Sequence, residues 1–374
     1  MADVKVIGAG PSGLMAAEVL ASAGHRVSIH DRMASPARKF LLAGRGGLNL
    51  THSEPLETFL TRYGDAQSFL EPAIRAFPPA ALIAWANGLG IETFVGSSGR
   101  IFPTQMKASP LLRAWLRRLD ALGVRLLTRS PWRGFDSTPT ILALGGASWP
   151  HLGSDAAWLP GFAAKGIMVH PFRPSNSRFL VNWSPHFTGR FAGVPIKNVA
   201  LTYRGRRVRG ELMISREGIE GGAIYALSRH LRDEPGAPLV IDLRPDLTEE
   251  TLATKLARPR GKDSLSTYLR KSAGLSPAAI ALLRETGTAP DAHAIKALAL
   301  SLGPPAGLAR AISSAGGVAR DEVDEHFQLK KAPGTYCVGE MLDWEAPTGG
   351  YLLQACFSTA VMAARHLASM LEKG

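Results

Sequence analysis

A glycine-rich turn near the start of the chain has the residue types and the spacing that bind the phosphates of a dinucleotide. Residues 4–7 predict a buried strand, and the turn that follows spaces Gly8, Gly10 and Gly13 as G-x-G-x-x-G before an apolar helix over 14–23. In such a turn the first glycine permits the tight bend, the second lets backbone approach a pyrophosphate, and the third lets helix and strand pack closely. The N-terminus of the helix adds free N–H groups and the positive end of its dipole.

A second predicted strand, over residues 27–31, ends in an acidic residue. Asp31 follows Gly13 by 18 residues, a spacing that suits a carboxylate accepting hydrogen bonds from the ribose of an adenosine. The alternative is a glycine-rich turn that binds no ligand. Strand, turn, helix, strand and acid in register favour the dinucleotide, but this fingerprint does not distinguish NAD from FAD.

The C-terminal part of the chain favours FAD. Residues 336–338 predict a short buried strand that stops at Gly339 and Glu340, and Gly349 and Gly350 precede a long apolar helix. The ribityl chain of FAD needs a polar side chain at a strand end. N–H groups at a helix N-terminus can stabilise the negative charge that the isoalloxazine N1/O2 edge gains on reduction. The alternative is an ordinary strand–loop–helix unit.

The rest of the chain contains no second G-x-G-x-x-G unit for a nicotinamide cofactor, which also favours FAD. NAD(P)H would then visit the flavin transiently as an electron donor. The hydrophobic fraction of 45% predicts a globular protein, and no apolar run is long enough to cross a bilayer. The N-terminal segment lacks the basic region of a signal peptide, so we expect a cytoplasmic protein. Cys337 and Cys356 lie in apolar segments and predict neither a disulfide scaffold nor a metal site.

The net charge of the 374-residue chain is +12. Basic residues cluster in a predicted hairpin over 203–209 and in a second group made up of Arg258, Arg260, Lys262, Arg270 and Lys271. Such clusters favour an anionic partner, whether nucleic acid, an acidic cofactor or an acidic membrane surface. An Arg-rich surface that is solvated and has no partner explains them equally well.

Three parts follow one another along the chain. Residues 1–165 and 313–374 alternate strands and helices, and they predict an α/β, doubly wound, Rossmann-like FAD-binding domain. Residues 166–245 predict a β-barrel-like insert, and residues 246–312 predict a helical-bundle insert. Within the first domain, a buried strand that ends at Gly145 is expected to border the cofactor crevice.

Taken together, the motifs resemble the BaiN/YhiN-like flavoproteins, also described as aminoacetone oxidase-like NAD(P)/FAD-dependent oxidoreductases. The resemblance is closest to a shorter subgroup of that family and covers nearly the whole chain. It rests on VIGAGPSG (6–13), KFLLAGRGGLNLTH (39–52), GRIFP (99–103), LALGGASWP (142–150), SAGGV (314–318), and VGEMLD with TGGYLLQ (338–354). It implies an FAD domain that carries a β-barrel and a helical bundle as inserts.

Pattern and resemblance together predict cofactor contacts from both ends of the chain. In the N-terminal part these are Gly8, Gly10, Pro11, Ser12, Gly13, Asp31, Arg32, Lys39, Gly44, Arg45, Gly46, Gly47, Asn49 and Gly145. In the C-terminal part they are Gly339, Glu340, Asp343, Gly349, Gly350, Tyr351 and Leu352. The family loop usually reads G-G-G-R-C-N, whereas here the arginine stands two positions earlier and Leu48 replaces the cysteine. A thiol acid therefore does not carry over to that position, and Ala355 replaces a family tryptophan.

The resemblance implies redox chemistry in which the flavin carries a hydride. Activities in the family include reduction of carbon–carbon double bonds in steroid-like acids and in ribosomal-RNA uridine, which gives dihydrouridine. The basic surface favours RNA, because phosphates would supply most of the binding. The candidate proton donors are His52, Arg100, Lys107 and Tyr351, each of which has an alternative structural role. A small-molecule flavin reductase, an amine oxidase and a non-catalytic RNA-binding flavoprotein stay open as alternatives.

Overall fold

The computed structural model describes residues 1–373 and divides the chain into two compact units. The first unit comprises residues 1–173 together with the chain from residue 312 onward. The second unit comprises residues 174–311. The segments predicted as a β-barrel-like insert and a helical insert thus belong mainly to one unit.

The first unit is built on a parallel sheet. Its strands are β1 (Asp3–Ile7), β2 (Arg26–Asp31), β6 (Arg125–Thr128), β7 (Thr140–Leu142) and β16 (Thr335–Cys337). They lie in the order β16-β7-β1-β2-β6, and every neighbouring pair is parallel. The order in which strands are added reverses between β1 and β7, so their carboxyl ends border the crevice in which open α/β sheets bind ligands. This arrangement confirms the predicted Rossmann-like fold.

Small residues let two helices of the first unit approach closely. Helix α1 (Pro11–Ser22) and helix α14 (Tyr351–Lys373) pack against each other. Ala16 and Ala17 of α1 and Ala360 of α14 are fully buried, so the packing surface is formed by methyl groups rather than long side chains. These two helices, one from each end of the chain, share one core with the parallel sheet.

The other elements of the first unit surround this framework. The helices are α2 (Arg38–Ala43), α3 (Leu56–Thr61), α4 (Gln67–Ala76), α5 (Pro79–Gly88), α6 (Ala108–Ala121) and α7 (Leu159–Ala164). Strands β3 (Thr51–His52), β4 (Thr93–Val95) and β5 (Arg100–Pro103) form a small antiparallel sheet, and β8 (Val169–Ser175) pairs with β15 (Ser313–Val318). No helix within residues 1–373 is long and apolar enough to span a bilayer.

The second unit is a sheet covered by helices. Its strands are β9 (Phe179–Leu180), β10 (Pro195–Tyr203), β11 (Arg206–Ser215), β12 (Gly218–Glu220), β13 (Leu239–Asp242) and β14 (Leu298–Leu300), in the order β14-β13-β10-β11-β12-β9. Its helices are α8 (Pro185–Phe191), α9 (Gly222–Asp233), α10 (Glu249–Leu256), α11 (Leu265–Ala273), α12 (Pro277–Glu285) and α13 (Ala292–Lys296).

The predicted barrel-like character of the sheet agrees with the hydrogen bonds at its two edges. Residues 303–306, which follow β14, bond to β9: Gly303 N donates to Leu180 O at 2.8 Å, and Leu180 N donates to Pro304 O at 3.1 Å. The helical segment, however, differs from the prediction. Strand residues such as Leu201 and Ile241 share a single core with Leu283 and Ile295 of the helical segment, so the helices cover the sheet instead of forming a separate bundle. The unit also begins later than residue 166, because the chain first continues into β8, which pairs with β15.

Candidate functional site

The glycine-rich turn joins β1 to α1 in the conformation that the motif predicts. Gly8 has a φ of 103°, and a Cβ there would overlap the carbonyl oxygen of Ala143 on the neighbouring strand end. A Cβ on Gly13 would overlap the carbonyl oxygen of Gly8. A Cβ on Gly10, by contrast, would meet no atom within 4 Å. The first and third glycines therefore serve close packing, and the second leaves open space for a ligand.

The N-terminus of α1 leaves backbone donors for that ligand. Gly10 is the N-cap and has no side chain to accept a hydrogen bond, and Pro11 in the first turn has no N–H to satisfy. The N–H groups of Ser12 and Gly13 in the same turn find no acceptor within the helix. An anion at this place would receive hydrogen bonds from them and gain from the helix dipole.

Asp31 at the end of β2 is held by backbone hydrogen bonds. Its Oδ2 atom accepts from Ala9 N at 2.8 Å, and its Oδ1 atom accepts from Met33 N at 2.7 Å. Each oxygen keeps a further lone pair for a ribose hydroxyl. The neighbouring Arg32 forms an ion pair with Asp155 at 2.7 Å, which offsets its charge beside the turn.

A cavity of about 270 Å³ lies along the turn. The predicted cofactor residues that line it are Gly8, Gly10, Pro11, Ser12, Asp31, Arg32, Lys39, Gly145 and Glu340. Many further lining residues were not predicted, among them Met33, Arg38, Ser154 and Trp158. No sequence motif marks these four. The hydroxyl of Ser154 is buried and has no hydrogen-bond partner in the described chain, so it is available to a polar ligand.

An ion pair joins the two ends of the chain at the cavity. Lys39 Nζ lies 2.9 Å from Glu340 Oε1 and 2.6 Å from Glu340 Oε2, and it also donates to Ser148 Oγ. Glu340 Oε1 accepts a second hydrogen bond, from Ser314 N at 3.0 Å. The preceding Gly339 has a φ of 75°, and a Cβ there would overlap Ser12 Oγ, so this glycine lets the strand end approach α1.

The second glycine pair lies beside the loop over residues 44–49. Gly349 and Gly350 have φ values of 140° and 98°, and a Cβ on Gly350 would overlap the backbone of Thr51. The Oδ1 atom of Asn49 in that loop is buried and finds no partner among residues 1–373. Gly44 packs against Ala108, whereas Arg45 and Gly46 are exposed, and Leu352 is half-buried in α14. An unpartnered amide oxygen and two left-handed glycines therefore occur in adjoining segments.

Several predicted site residues do not line the cavity. They are the cofactor candidates Gly13, Gly44, Arg45, Gly46, Gly47, Asn49, Gly339, Asp343, Gly349, Gly350, Tyr351 and Leu352, and the candidate proton donors His52, Arg100, Lys107 and Tyr351. Asp343 Oδ2 lies 2.8 Å from His170 Nδ1, so its carboxylate has a protein partner. Lys107 is exposed at the start of α6, and Arg100 on β5 lies opposite His52. The glycine patterns could not reveal these positions, because each depends on contacts with distant segments.

His52 and Tyr351 stack with their ring centroids 5.6 Å apart, yet neither has a free proton to give. The Nε2 atom of His52 lies 3.0 Å from the carbonyl oxygen of Ser98, and its Nδ1 atom accepts from Glu54 N at 3.1 Å. Because Nδ1 accepts, the ring donates through Nε2 to this carbonyl. The hydroxyl of Tyr351 donates to Glu54 Oε1 at 2.5 Å.

The environment of Tyr351 makes it a weaker acid than an ordinary tyrosine. Burial, followed by the hydrogen bond to Glu54 and the charge of that residue, raises the pKa of Tyr351 above its usual value. Burial raises the pKa of Glu54, but hydrogen bonds from Arg62 and Tyr351 outweigh it and bring the pKa below its usual value. Glu54 therefore stays ionised and keeps the tyrosine proton in the hydrogen bond.

These residues fit FAD. The open space at Gly10 and the uncapped first turn of α1 suit a pyrophosphate, and the fixed carboxylate of Asp31 suits a ribose. The unpartnered hydroxyl of Ser154, which lines the cavity, suits a polar group of the ligand. A dinucleotide bound at the turn would satisfy backbone and side-chain groups that have no partner within the described chain.

Comparison with known proteins agrees with the interpretation that the site binds FAD. The chain is 26% identical to the 3-dehydro-bile acid delta(4,6)-reductase of Clostridium scindens, with 98% of each chain covered. It is 25% identical to the ribosomal RNA dihydrouridine synthase of Escherichia coli, again with 98% of each chain covered. Among solved structures, the 3-ketosteroid delta1-dehydrogenase of Sterolibacterium denitrificans has the same fold, with a TM-score of 0.51 at 13% identity over 98% of this chain and 99% of that chain. The model of the HI0933-like protein Rossmann domain matches residues 2–366, so the chain belongs to this family of FAD-dependent oxidoreductases.

Proposed function

We propose that this protein reduces the C5–C6 double bond of a uridine in ribosomal RNA. The overall reaction adds a hydride and a proton: uridine, NAD(P)H and H⁺ give 5,6-dihydrouridine and NAD(P)⁺. FAD, held by the N–H groups at the start of α1 and by Asp31, would supply the hydride-transfer chemistry. The residues of the chain bind and orient the two partners of this transfer.

The names of the two relatives share one kind of chemistry. One is a delta(4,6)-reductase of a bile acid, and the other is a dihydrouridine synthase of ribosomal RNA. Both names describe the saturation of a carbon–carbon double bond, in one case in a steroid acid and in the other in a nucleobase. The chain has nearly the same identity to both, so the choice of substrate rests on the charge of this molecule.

The distribution of charge is the observation that carries the choice of RNA. Residues 174–311 contain 20 Lys and Arg against 12 Asp and Glu, so the second unit holds +8 of the net charge of +12. A steroid acid with a single carboxylate gives no reason for such a surplus. An RNA chain does, because each of its phosphates can pair with a cation and release a counterion.

The arginines of the basic hairpin over 203–209 are less available to an anionic ligand than the sequence suggests. Arg207 pairs with Asp242 at 2.8 Å, and Arg209 pairs with Asp246. Arg204 donates to the carbonyl oxygen of Glu234 at 3.0 Å. Cations without an ion pair in the described chain occur elsewhere in the second unit, and they include Arg190, Arg258, Arg260, Lys262, Arg270 and Arg284.

The four candidate proton donors differ in how readily they could donate a proton. Tyr351 and His52 hold their protons in hydrogen bonds to Glu54 and to the carbonyl of Ser98, so each would have to break a hydrogen bond before it could act. Lys107 is exposed and Arg100 half-buried, and both suit contacts with substrate phosphates. We therefore expect phenylalanine at position 351 to slow the reaction less than removal of a true proton donor would, which typically costs about 10²–10⁴-fold.

The experiment is to map dihydrouridine in ribosomal RNA by mass spectrometry, with and without this gene. We expect one dihydrouridine to disappear on deletion and to return with the wild-type gene. The purified holoprotein should form the same product from unmodified ribosomal RNA and NAD(P)H. If the RNA is unchanged and the purified protein instead reduces a steroid enone, the substrate proposal is wrong, although the oxidoreductase assignment stands. An RNA substrate would also agree with the predicted cytoplasmic location.

A further inference from the structure

The second unit contains a cavity of about 300 Å³ between three of its helices. Helices α8, α11 and α12 each contribute one arginine to its lining, namely Arg190, Arg270 and Arg284. Phe187 and Ile280 contribute to an apolar wall, and the polar residues His186, Ser266, Thr267 and Glu285 complete the lining. We name this cavity the arginine cleft.

The three arginines of the cleft have no counterion in the protein. All three are exposed, and none forms an ion pair with any residue between 1 and 373. The only carboxylate in the lining, that of Glu285, accepts hydrogen bonds from the backbone N and the hydroxyl of Ser184. Solvent screens these exposed guanidinium groups from one another, and an anion that enters the space would pair with them and remove their remaining mutual repulsion.

Helix dipoles do not account for this arrangement. Each arginine lies in the last turn of its helix, where a cation gains about 0.3–1 kcal/mol from the dipole. That gain explains one arginine on each helix, but it does not require all three to line one cavity. Arg190 is further restrained by Phe191, whose ring centroid lies 5.5 Å from the guanidinium carbon.

We propose that the arginine cleft binds the phosphodiester backbone of the RNA substrate. Guanidinium groups present a planar fork that matches phosphate oxygens in bidentate pairs. The apolar wall would accept the adjoining sugar or base. A volume of about 300 Å³ stands at the lower limit of ligand sites, about 300–1,000 Å³, so the cleft suits a phosphate with its nucleoside rather than folded RNA. The identity of the polymer rests on the proposed function, whereas the phosphate site rests on the geometry.

Binding of a labelled oligouridylate to the FAD-loaded protein tests the cleft. The variant carries Arg190→Gln, Arg270→Gln and Arg284→Gln together. For a single strand each lost phosphate contact lowers the slope of log K against log salt concentration by about 0.7, so three contacts lower it by about 2. At about 0.1 M salt this corresponds to a loss of affinity of about 100-fold relative to wild type.

A matched control removes the same charge from the first unit. Arg113, Arg117 and Lys165 are exposed there and form no ion pair within the described residues, so Arg113→Gln, Arg117→Gln and Lys165→Gln should change the slope by less than about 1. A second variant with lysine at the three cleft positions keeps the charge but loses the fork. It should retain the slope of wild type and bind with intermediate affinity. Flavin content and circular dichroism confirm that each variant is folded.

The proposal is overturned if the glutamine variant binds oligouridylate as the first-unit control does. It is also overturned if the cleft arginines matter only for vesicles that contain acidic phospholipid, because the ligand would then be a lipid headgroup. Failure of the proposed function gives a different result. In that case wild type binds oligouridylate through the cleft but forms no dihydrouridine from ribosomal RNA and NAD(P)H.

Discussion

Replacing Lys39 with methionine tests the ion pair that joins the two ends of the chain. The change keeps an unbranched side chain, one atom shorter, but leaves the Glu340 carboxylate without its cation. Breaking a buried pair in this way costs about 3–5 kcal/mol. Lys39 and Glu340 are 27% and 15% exposed, so solvent screens part of that loss, and we expect a cost of about 2–3 kcal/mol.

The assay is thermal unfolding of the holoprotein at saturating FAD, with flavin content measured in parallel. For a chain of this size, about 2 °C per kcal/mol gives a fall in Tm of about 4–6 °C. A double variant with Lys39→Met and Glu340→Gln removes both charges, and its glutamine oxygen can still accept from Ser314 N. Because no unpaired charge remains, most of the lost stability should return.

Lys5→Met provides the matched control. Lys5 pairs with Asp136 at 2.5 Å in the same unit, but the two side chains are 33% and 51% exposed. An exposed pair contributes about 0–1 kcal/mol, so this change should lower Tm by less than about 2 °C. If Lys39→Met shifts Tm no more than the control, or if the double variant is no more stable than Lys39→Met alone, the ion pair does not stabilise the site as argued.

Three further predictions concern the cofactor and the pH dependence of stability. Gly10→Val should abolish flavin binding, because the new side chain fills the open space at the turn. Gly307→Val is the control, since Gly307 also has free space around it and no positive φ, and it should retain flavin binding. The flavin absorbance of the purified proteins measures the difference. Ser154→Ala should leave the apoprotein as stable as wild type but weaken FAD binding by about 3–10-fold, because the buried hydroxyl has no partner until the cofactor binds. Equal FAD affinities of the variant and wild type in titration calorimetry would contradict this prediction. Burial and the neighbouring His326 lower the pKa of His366 below 6.5, so the folded state binds this proton less readily than the unfolded state. Stability should therefore fall as pH drops below about 6.5, and denaturant titrations of His366→Phe should show a weaker pH dependence; equal slopes for the two proteins would disprove the assignment.

The glycine-rich turn was predictable because its causes are local. Gly8, Gly10 and Gly13 occur within six residues, and their roles follow from backbone geometry that the motif itself specifies. Asp31 follows on the next strand at the expected spacing, and the structure fixes its carboxylate beside the turn. The sequence contains all the information needed for this half of the site.

The other half depends on contacts that no local pattern records. Lys39 and Glu340 are 301 positions apart in the sequence, and Asp343 contacts His170, which is 173 positions away. Both the pairing of Glu340 and the departure of Asp343 from the cavity result from how distant segments pack. The covering of the sheet by helices in the second unit has the same origin, since periodicity identifies the elements but not the faces that meet.

The charge pattern of the sequence likewise did not reveal which cations are free of ion pairs. The hairpin over 203–209 is the densest basic stretch of the sequence, yet Asp242 and Asp246 from other elements neutralise two of its arginines. Arg190, Arg270 and Arg284 are far apart in the sequence and do not form a motif. Only the packing of three helices brings them to one cavity.

The parallel sheet is completed by β16, and the crevice by Glu340 and the first turn of α14, all of which come from the end of the chain. During synthesis from the N-terminus, residues 174–311 emerge before these elements, so the second unit can fold while the first lacks its edge strand. The flavin site is therefore assembled only after β16, Glu340 and α14 have been synthesised. A chain that stops before β16 would contain the whole dinucleotide fingerprint and yet be unable to hold the cofactor.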